Sequence, residues 1–176
     1  GPLGCGYVTG SGTVFNTLKP EPGSTIAVTG TGAVGLAAMM AGKISGCTKV
    51  IAIDRVPERL ELAKELGATD AINTNDQDMV KSIQNLTDGK GVDYIVDTTG
   101  VTKVMEDAIQ SLAQGGTLAP VAVTANHIDV DTWNDLCPSD RTIVGVNMGD
   151  SIPQVDIPRL IEFYKLGMFD FDKTEK

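Results

Sequence analysis

Short aliphatic and β-branched runs alternate along the chain with longer stretches in which apolar residues recur every three or four positions. This alternation predicts six strands separated by helices. The strands fall at about 25–30, 49–54, 70–73, 92–97, 117–123 and 141–146, and the helices at about 33–44, 57–66, 76–86, 101–113 and 153–166. Gly46 and Gly67 stand where helices stop, and Pro57 stands where a first helical turn tolerates it. Pro20-Glu21-Pro22-Gly23 and Thr87-Asp88-Gly89-Lys90-Gly91 read as turns. The strand runs are apolar throughout rather than alternating, so both faces of the sheet should be covered. That pattern predicts an α/β protein with a doubly wound parallel sheet, and right-handed crossovers make the strand order 3-2-1-4-5-6. Residues 124–140 are a looser, polar segment, and residues 5–19 form a glycine-punctuated turn and helix ahead of the first strand.

The first strand runs straight into Gly30-Thr31-Gly32-Ala33-Val34-Gly35, and an alanine-rich helical pattern follows at once. Each glycine of this G-x-G-x-x-G spacing has a physical task. Gly30 permits the tight strand-to-helix turn, Gly32 lets backbone approach a pyrophosphate, and Gly35 lets the helix lie close on the sheet. The anion would sit on the free N–H groups at the positive end of that helix. The second strand ends in Asp54, about 20 residues further on, where the same fingerprint places an acid that accepts hydrogen bonds from an adenosine ribose. A carboxylate there repels a 2′-phosphate, so NAD is favoured over NADP; Arg55, the next residue, would soften the repulsion. The bland alternative is an ordinary helix start beside a solvated aspartate.

The charge balance narrows the partners. A net charge of −9 argues against general electrostatic binding to nucleic acid or an anionic membrane. It leaves room for a phosphate-bearing cofactor held by backbone amides. No apolar run approaches the ~20 residues of a membrane span. Three cysteines, Cys5, Cys47 and Cys137, are too scattered for a disulfide framework, which points to the reducing cytoplasm.

With Cys5-Gly6 and Thr9-Gly10 upstream of the glycine turn, the chain resembles the zinc-dependent medium-chain alcohol dehydrogenases. Leu62-Ala63-Lys64-Glu65-Leu66-Gly67-Ala68-Thr69, Gly91-Val92-Asp93 and the Leu112-Ala113…Gly115-Gly116…Leu118 run carry the likeness further. The resemblance implies a Rossmann fold and the NAD-binding half of an enzyme that passes a hydride from an alcohol to a nicotinamide. Pro2-Leu3-Gly4-Cys5-Gly6 looks most like the aryl- or benzyl-alcohol branch. The resemblance assigns Cys5 to the third protein ligand of the catalytic zinc and Thr9 to the nicotinamide end. Gly30, Gly32 and Gly35 match the pyrophosphate turn, with Thr31, Ala33 and Val34 between them as further candidates; Asp54 and Arg59 match the ribose site, and Arg55 is a candidate beside them. Thr98 and Thr99 after the fourth strand, and Val121 and Val123 after the fifth, would line the coenzyme cleft. It also implies that the remaining zinc ligands and the catalytic domain lie outside these residues. Residues 1–24 would then lead in from that domain, residues 25–168 would form the dinucleotide-binding domain, and residues 169–176 would be an exit linker. Neither zinc nor turnover is expected from this fragment alone. The apolar sixth strand, at the sheet edge, would pair across a twofold axis to make a homodimer.

Readings from other classes fare less well. Tyr7, Tyr94 and Tyr164 are followed four residues on by Ser11, Thr98 and Met168, so no Tyr-x-x-x-Lys pair of a short-chain reductase exists. A methyltransferase turn usually follows an acid, whereas Val28-Thr29 precede Gly30. A nucleotide-sensing regulatory module, or a zinc-free quinone reductase relative, would share the glycine turn and Asp54. Met39 and Met40 are expected in the core, His127 in a solvated loop and Trp133 packed against the protein.

Overall fold

The computed structural model describes residues 6–150 and 153–170. Six parallel strands form one sheet in the order β3-β2-β1-β4-β5-β6. They are β1 (Thr25–Thr29), β2 (Lys49–Asp54), β3 (Asp70–Asn73), β4 (Val92–Asp97), β5 (Leu112–Pro120) and β6 (Thr142–Ile143). The helices between them are α2 (Ala33–Ile44), α3 (Pro57–Glu65), α4 (Met79–Leu86) and α5 (Thr102–Gln110); α1 (Val8–Gly12) precedes the sheet and α6 (Pro153–Lys165) follows it. The expected fold and strand order are both present.

Because successive strand residues point to opposite faces, each apolar run feeds two cores. Ile26, Val28, Val50, Ala52 and Val96 pack on one face with α2, α3 and α6 through Met39, Met40, Leu60 and Leu160. Ala27, Ile51, Ile53 and Ile95 pack on the other with α4 and α5 through Ile83 and Ile109. Full burial of such a side chain contributes roughly 1.5–3 kcal/mol. The division explains why the strands show no polar alternation.

The lead-in segment belongs to the first core. Tyr7, Val8, Val14 and Leu18 are buried there, and beyond α1 the chain winds into wider π-helical turns over Thr13–Leu18. The last of these closes with the Lys19 amide donating to the Val14 carbonyl at 2.8 Å. The Tyr7 ring meets that of the buried Phe169 edge-on, with centroids 6.1 Å apart. Asn16 donates to Asp156 of α6 at 3.1 Å, Arg159 pairs with the same carboxylate, and its guanidinium lies 5.5 Å above the Phe15 ring.

Several boundaries differ from the sequence reading. α4 begins at Met79 because the Asp78 carboxylate caps it, accepting from the Lys81 amide at 2.9 Å. α5 stops at Gln110, where the Ser111 hydroxyl turns back to the Asp107 carbonyl; β5 therefore starts at Leu112, and Val121 and Val123 lie beyond its end. β6 spans only two residues, since only Thr117 and Leu118 of β5 offer it a register. Trp133 is 69% exposed rather than packed. It rides on a π-helical turn at Thr132–Leu136, which the Asp131 carboxylate holds by accepting from the amides of Trp133 and Asn134. No helix among the described residues is long and apolar enough to cross a membrane.

Candidate functional site

β1 and β4 are neighbours whose following helices leave to opposite faces of the sheet, so a crevice opens beyond their carboxyl ends. Gly30 and Thr98 form its floor. Gly30 has φ +85°, a left-handed conformation that glycine adopts without strain, and a Cβ on it would lie 2.3 Å from Thr98 Oγ1. The Thr98 hydroxyl donates to the carbonyls of Thr29 at 2.8 Å and Gly30 at 3.1 Å. Gly35 is required by packing: a Cβ there would sit 1.8 Å from the Gly30 carbonyl oxygen.

Gly32 differs from both. A Cβ on it would meet nothing within 4 Å, so the protein's own packing gives no reason for glycine. Gly32 is also the N-cap of α2, and no side chain caps that helix. The first-turn amides of α2 therefore have no intrahelical acceptors and carry the positive end of the helix dipole into open space.

Asp54, at the end of β2, is tied at both oxygens. Oδ2 accepts from the Thr31 amide and hydroxyl, each at 2.8 Å, and Oδ1 accepts from the amides of Arg55 at 2.6 Å and Val56 at 3.1 Å. Burial pushes the carboxyl upward, but the Thr31 hydrogen bonds and the two loop amides outweigh it and hold the group below its ordinary value. Arg59 Nη1 lies 4.0 Å from Oδ2 on a largely exposed side chain.

Two grooves flank the glycine turn. One, of about 400 Å³, is bordered by Gly30, Asp54, Arg55 and Arg59; the other, of about 560 Å³, by Thr9, Ala33, Val34, Gly35, Val121 and Val123. Gly32, Thr98 and Thr99 border both. Every sequence-predicted residue from Thr9 to Val123 thus gathers here except Thr31, which is 2% exposed and turned toward Asp54. Cys5 lies outside the described residues. Among the described residues, no group of three or more His, Cys, Asp or Glu could hold a metal. Sequence reasoning missed Thr74 in the first groove and Ala122 and Asn147 in the second. Thr74 directly follows β3, so the rule that ligands bind beyond strand carboxyl ends was the signal that could have found it.

A family profile described as "Zinc-binding dehydrogenase" matches residues 33–165. The benzyl alcohol dehydrogenase of Acinetobacter calcoaceticus superposes with a TM-score of 0.94 at 41% identity, over 98% of this chain and 48% of that one. An alcohol dehydrogenase zinc-binding domain protein from Burkholderia ambifaria gives 0.91 at 44%, over 98% and 46%. The geraniol dehydrogenase of Castellaniella defragrans is 38% identical over 98% of this chain and 47% of its own length. The chain spans about half the length of the relatives it matches. A glycine turn opening α2 beside an acid-ended β2, on a sheet shared with these enzymes, leads to one assignment: the chain belongs to the zinc-binding dehydrogenase family.

Proposed function

We propose that this chain is the coenzyme-binding part of a zinc-type alcohol dehydrogenase and that NAD(H) lies across the two grooves, with its diphosphate at Gly32. The carrying observation is the open position at Gly32 beneath an uncapped helix N-terminus. A bound nicotinamide supplies the hydride acceptor; this chain's residues hold and orient it. Amides of Gly32, Ala33 and Val34 are placed to donate to the diphosphate. Asp54, kept ionised by its donors, accepts from ribose hydroxyls, with Arg59 alongside. Thr9, Val121 and Val123 border the groove left for the nicotinamide. The fixed carboxylate favours NAD over NADP.

The benzyl alcohol and geraniol dehydrogenases among the relatives support an alcohol as the substrate of the full-length enzyme. Cys5, which lies outside the described residues, would supply one zinc ligand in a full-length enzyme of this type. Alone, the chain binds coenzyme without oxidising alcohol. β6 is an edge strand of the sheet among the described residues, and pairing across that edge would make a homodimer.

Calorimetric titration with NADH tests the central reading: one site per chain is expected, and no heat of binding at millimolar coenzyme overturns it. Light scattering at micromolar protein tests the dimer, and a monomer mass counts against it.

A further inference from the structure

We infer that Thr31 is a specificity residue of the coenzyme site, fixing the Asp54 carboxylate in the position that rejects a 2′-phosphorylated ribose. The inference rests on the coenzyme reading above and goes beyond it by naming a residue that need not touch the ligand.

Thr31 lies inside the glycine turn yet borders neither groove. Its amide and hydroxyl both donate to one atom, Asp54 Oδ2, at 2.8 Å. The other oxygen is held by amides from the loop after β2. The carboxylate is thus anchored from two separate segments, and its side chain is only 9% exposed.

To admit a phosphate on the ribose 2′-oxygen, Asp54 would have to swing away or lose its charge. Swinging away breaks four hydrogen bonds and strands a buried hydroxyl. Losing the charge is opposed by the same donors, which stabilise the ionised form. The charged groups at hand are Arg55 and Arg59, the latter with a side chain 57% exposed and screened by water. They do not cancel a fixed carboxylate at contact distance. The same pair of hydrogen bonds joins the turn that cradles the diphosphate to the acid that reads the ribose, so the two subsites keep one spacing.

The test is calorimetric titration of the chain with NADH and NADPH for wild type, Thr31→Val, Thr31→Ala and Thr31→Ser, with circular dichroism confirming the fold. Loss of one hydrogen bond to a charged group should lower the NADH-over-NADPH preference roughly tenfold in Thr31→Val. Thr31→Ser, which keeps the hydroxyl, should restore it; a residue that merely stabilised the turn would weaken both coenzymes together. Wild-type binding of NADH with an unchanged preference in Thr31→Val overturns the inference and leaves the coenzyme reading standing. Wild type binding neither coenzyme overturns both. Should the Val and Ala variants fail to fold, the near-isosteric Thr31→Cys, whose thiol is only a weak donor, decides: a reduced NADH-over-NADPH preference is expected, and a preference unchanged from wild type overturns the inference.

Discussion

The Thr29 hydroxyl donates to the carboxylate of Asp97 at 2.5 Å, joining the ends of β1 and β4 within the buried sheet. The same carboxylate accepts from the Thr99 hydroxyl at 2.8 Å and the Gly100 amide at 3.0 Å. One inaccessible side chain thereby shapes the Thr98–Thr99 wall that borders both grooves. Asp97→Ala should remove the acceptor these donors share and cost roughly 2–4 kcal/mol in urea denaturation. Asp97→Asn, which retains an acceptor oxygen, should lose less. Equal stability of all three proteins would show that the donors find other partners.

Gly32 and Gly35 separate a ligand's demand from a packing demand. Gly35→Ala places a methyl against the Gly30 carbonyl and should destabilise the fold by about 3 kcal/mol or more. Gly32→Ala meets open space and should change stability by less than about 1 kcal/mol, the N-cap preference for glycine over alanine being partly offset by a stiffer unfolded chain. Its methyl should nonetheless weaken NADH binding at least tenfold, on the order of 1.4 kcal/mol. Thermal melts and calorimetry on the same samples read both effects.

Acid should weaken the protein partly through Asp54. Its folded-state pKa is lowered relative to the unfolded chain, burial being outweighed by the donors from Thr31, Val56 and Arg55. The ionised form therefore adds stability above the unfolded value, and that contribution disappears as pH falls through the folded value. The stability difference between wild type and Asp54→Asn should be largest near neutrality and shrink on acidification below about pH 4. A difference that grows in acid would contradict this sign.

Thiol reactivity should divide by site. Burial, with the nearby Asp93 carboxylate, pushes the half-buried Cys47 thiol up to about 11, while Cys137 is exposed. Maleimide labelling at neutral pH, followed by peptide mapping, should modify Cys137 well before Cys47. Equal rates would require Cys47 to open to solvent.

The sheet and the glycine turn were legible in the sequence because each rests on local signals: short apolar runs divided between two cores, and glycines at Gly30 and Gly35 that sterics leave no substitute for. Asp54 was legible by its distance from the turn. Thr31 was read as a residue near the phosphates, and its contact with Asp54 spans β1 and β2, which spacing does not reveal. The same limit hid the Asp97 network, whose donors come from β1 and from the residues after β4. Trp133 misled because apolar bulk suggests burial, whereas the Asp131 cap holds its turn out in solvent. β6 ran short because pairing depends on what β5 offers, a property of the neighbour rather than of Arg141–Val146.

The wide turns at Thr13–Leu18 give the lead-in segment a place to absorb a change in length. A π-helical stretch carries one residue more than an α-helix would need, so deleting one there lets the coil tighten while its flanks keep their places. Tyr7 would stay against Phe169 and Thr9 beside the second groove. A deletion from a regular α-helix would instead turn everything beyond it by roughly 100°.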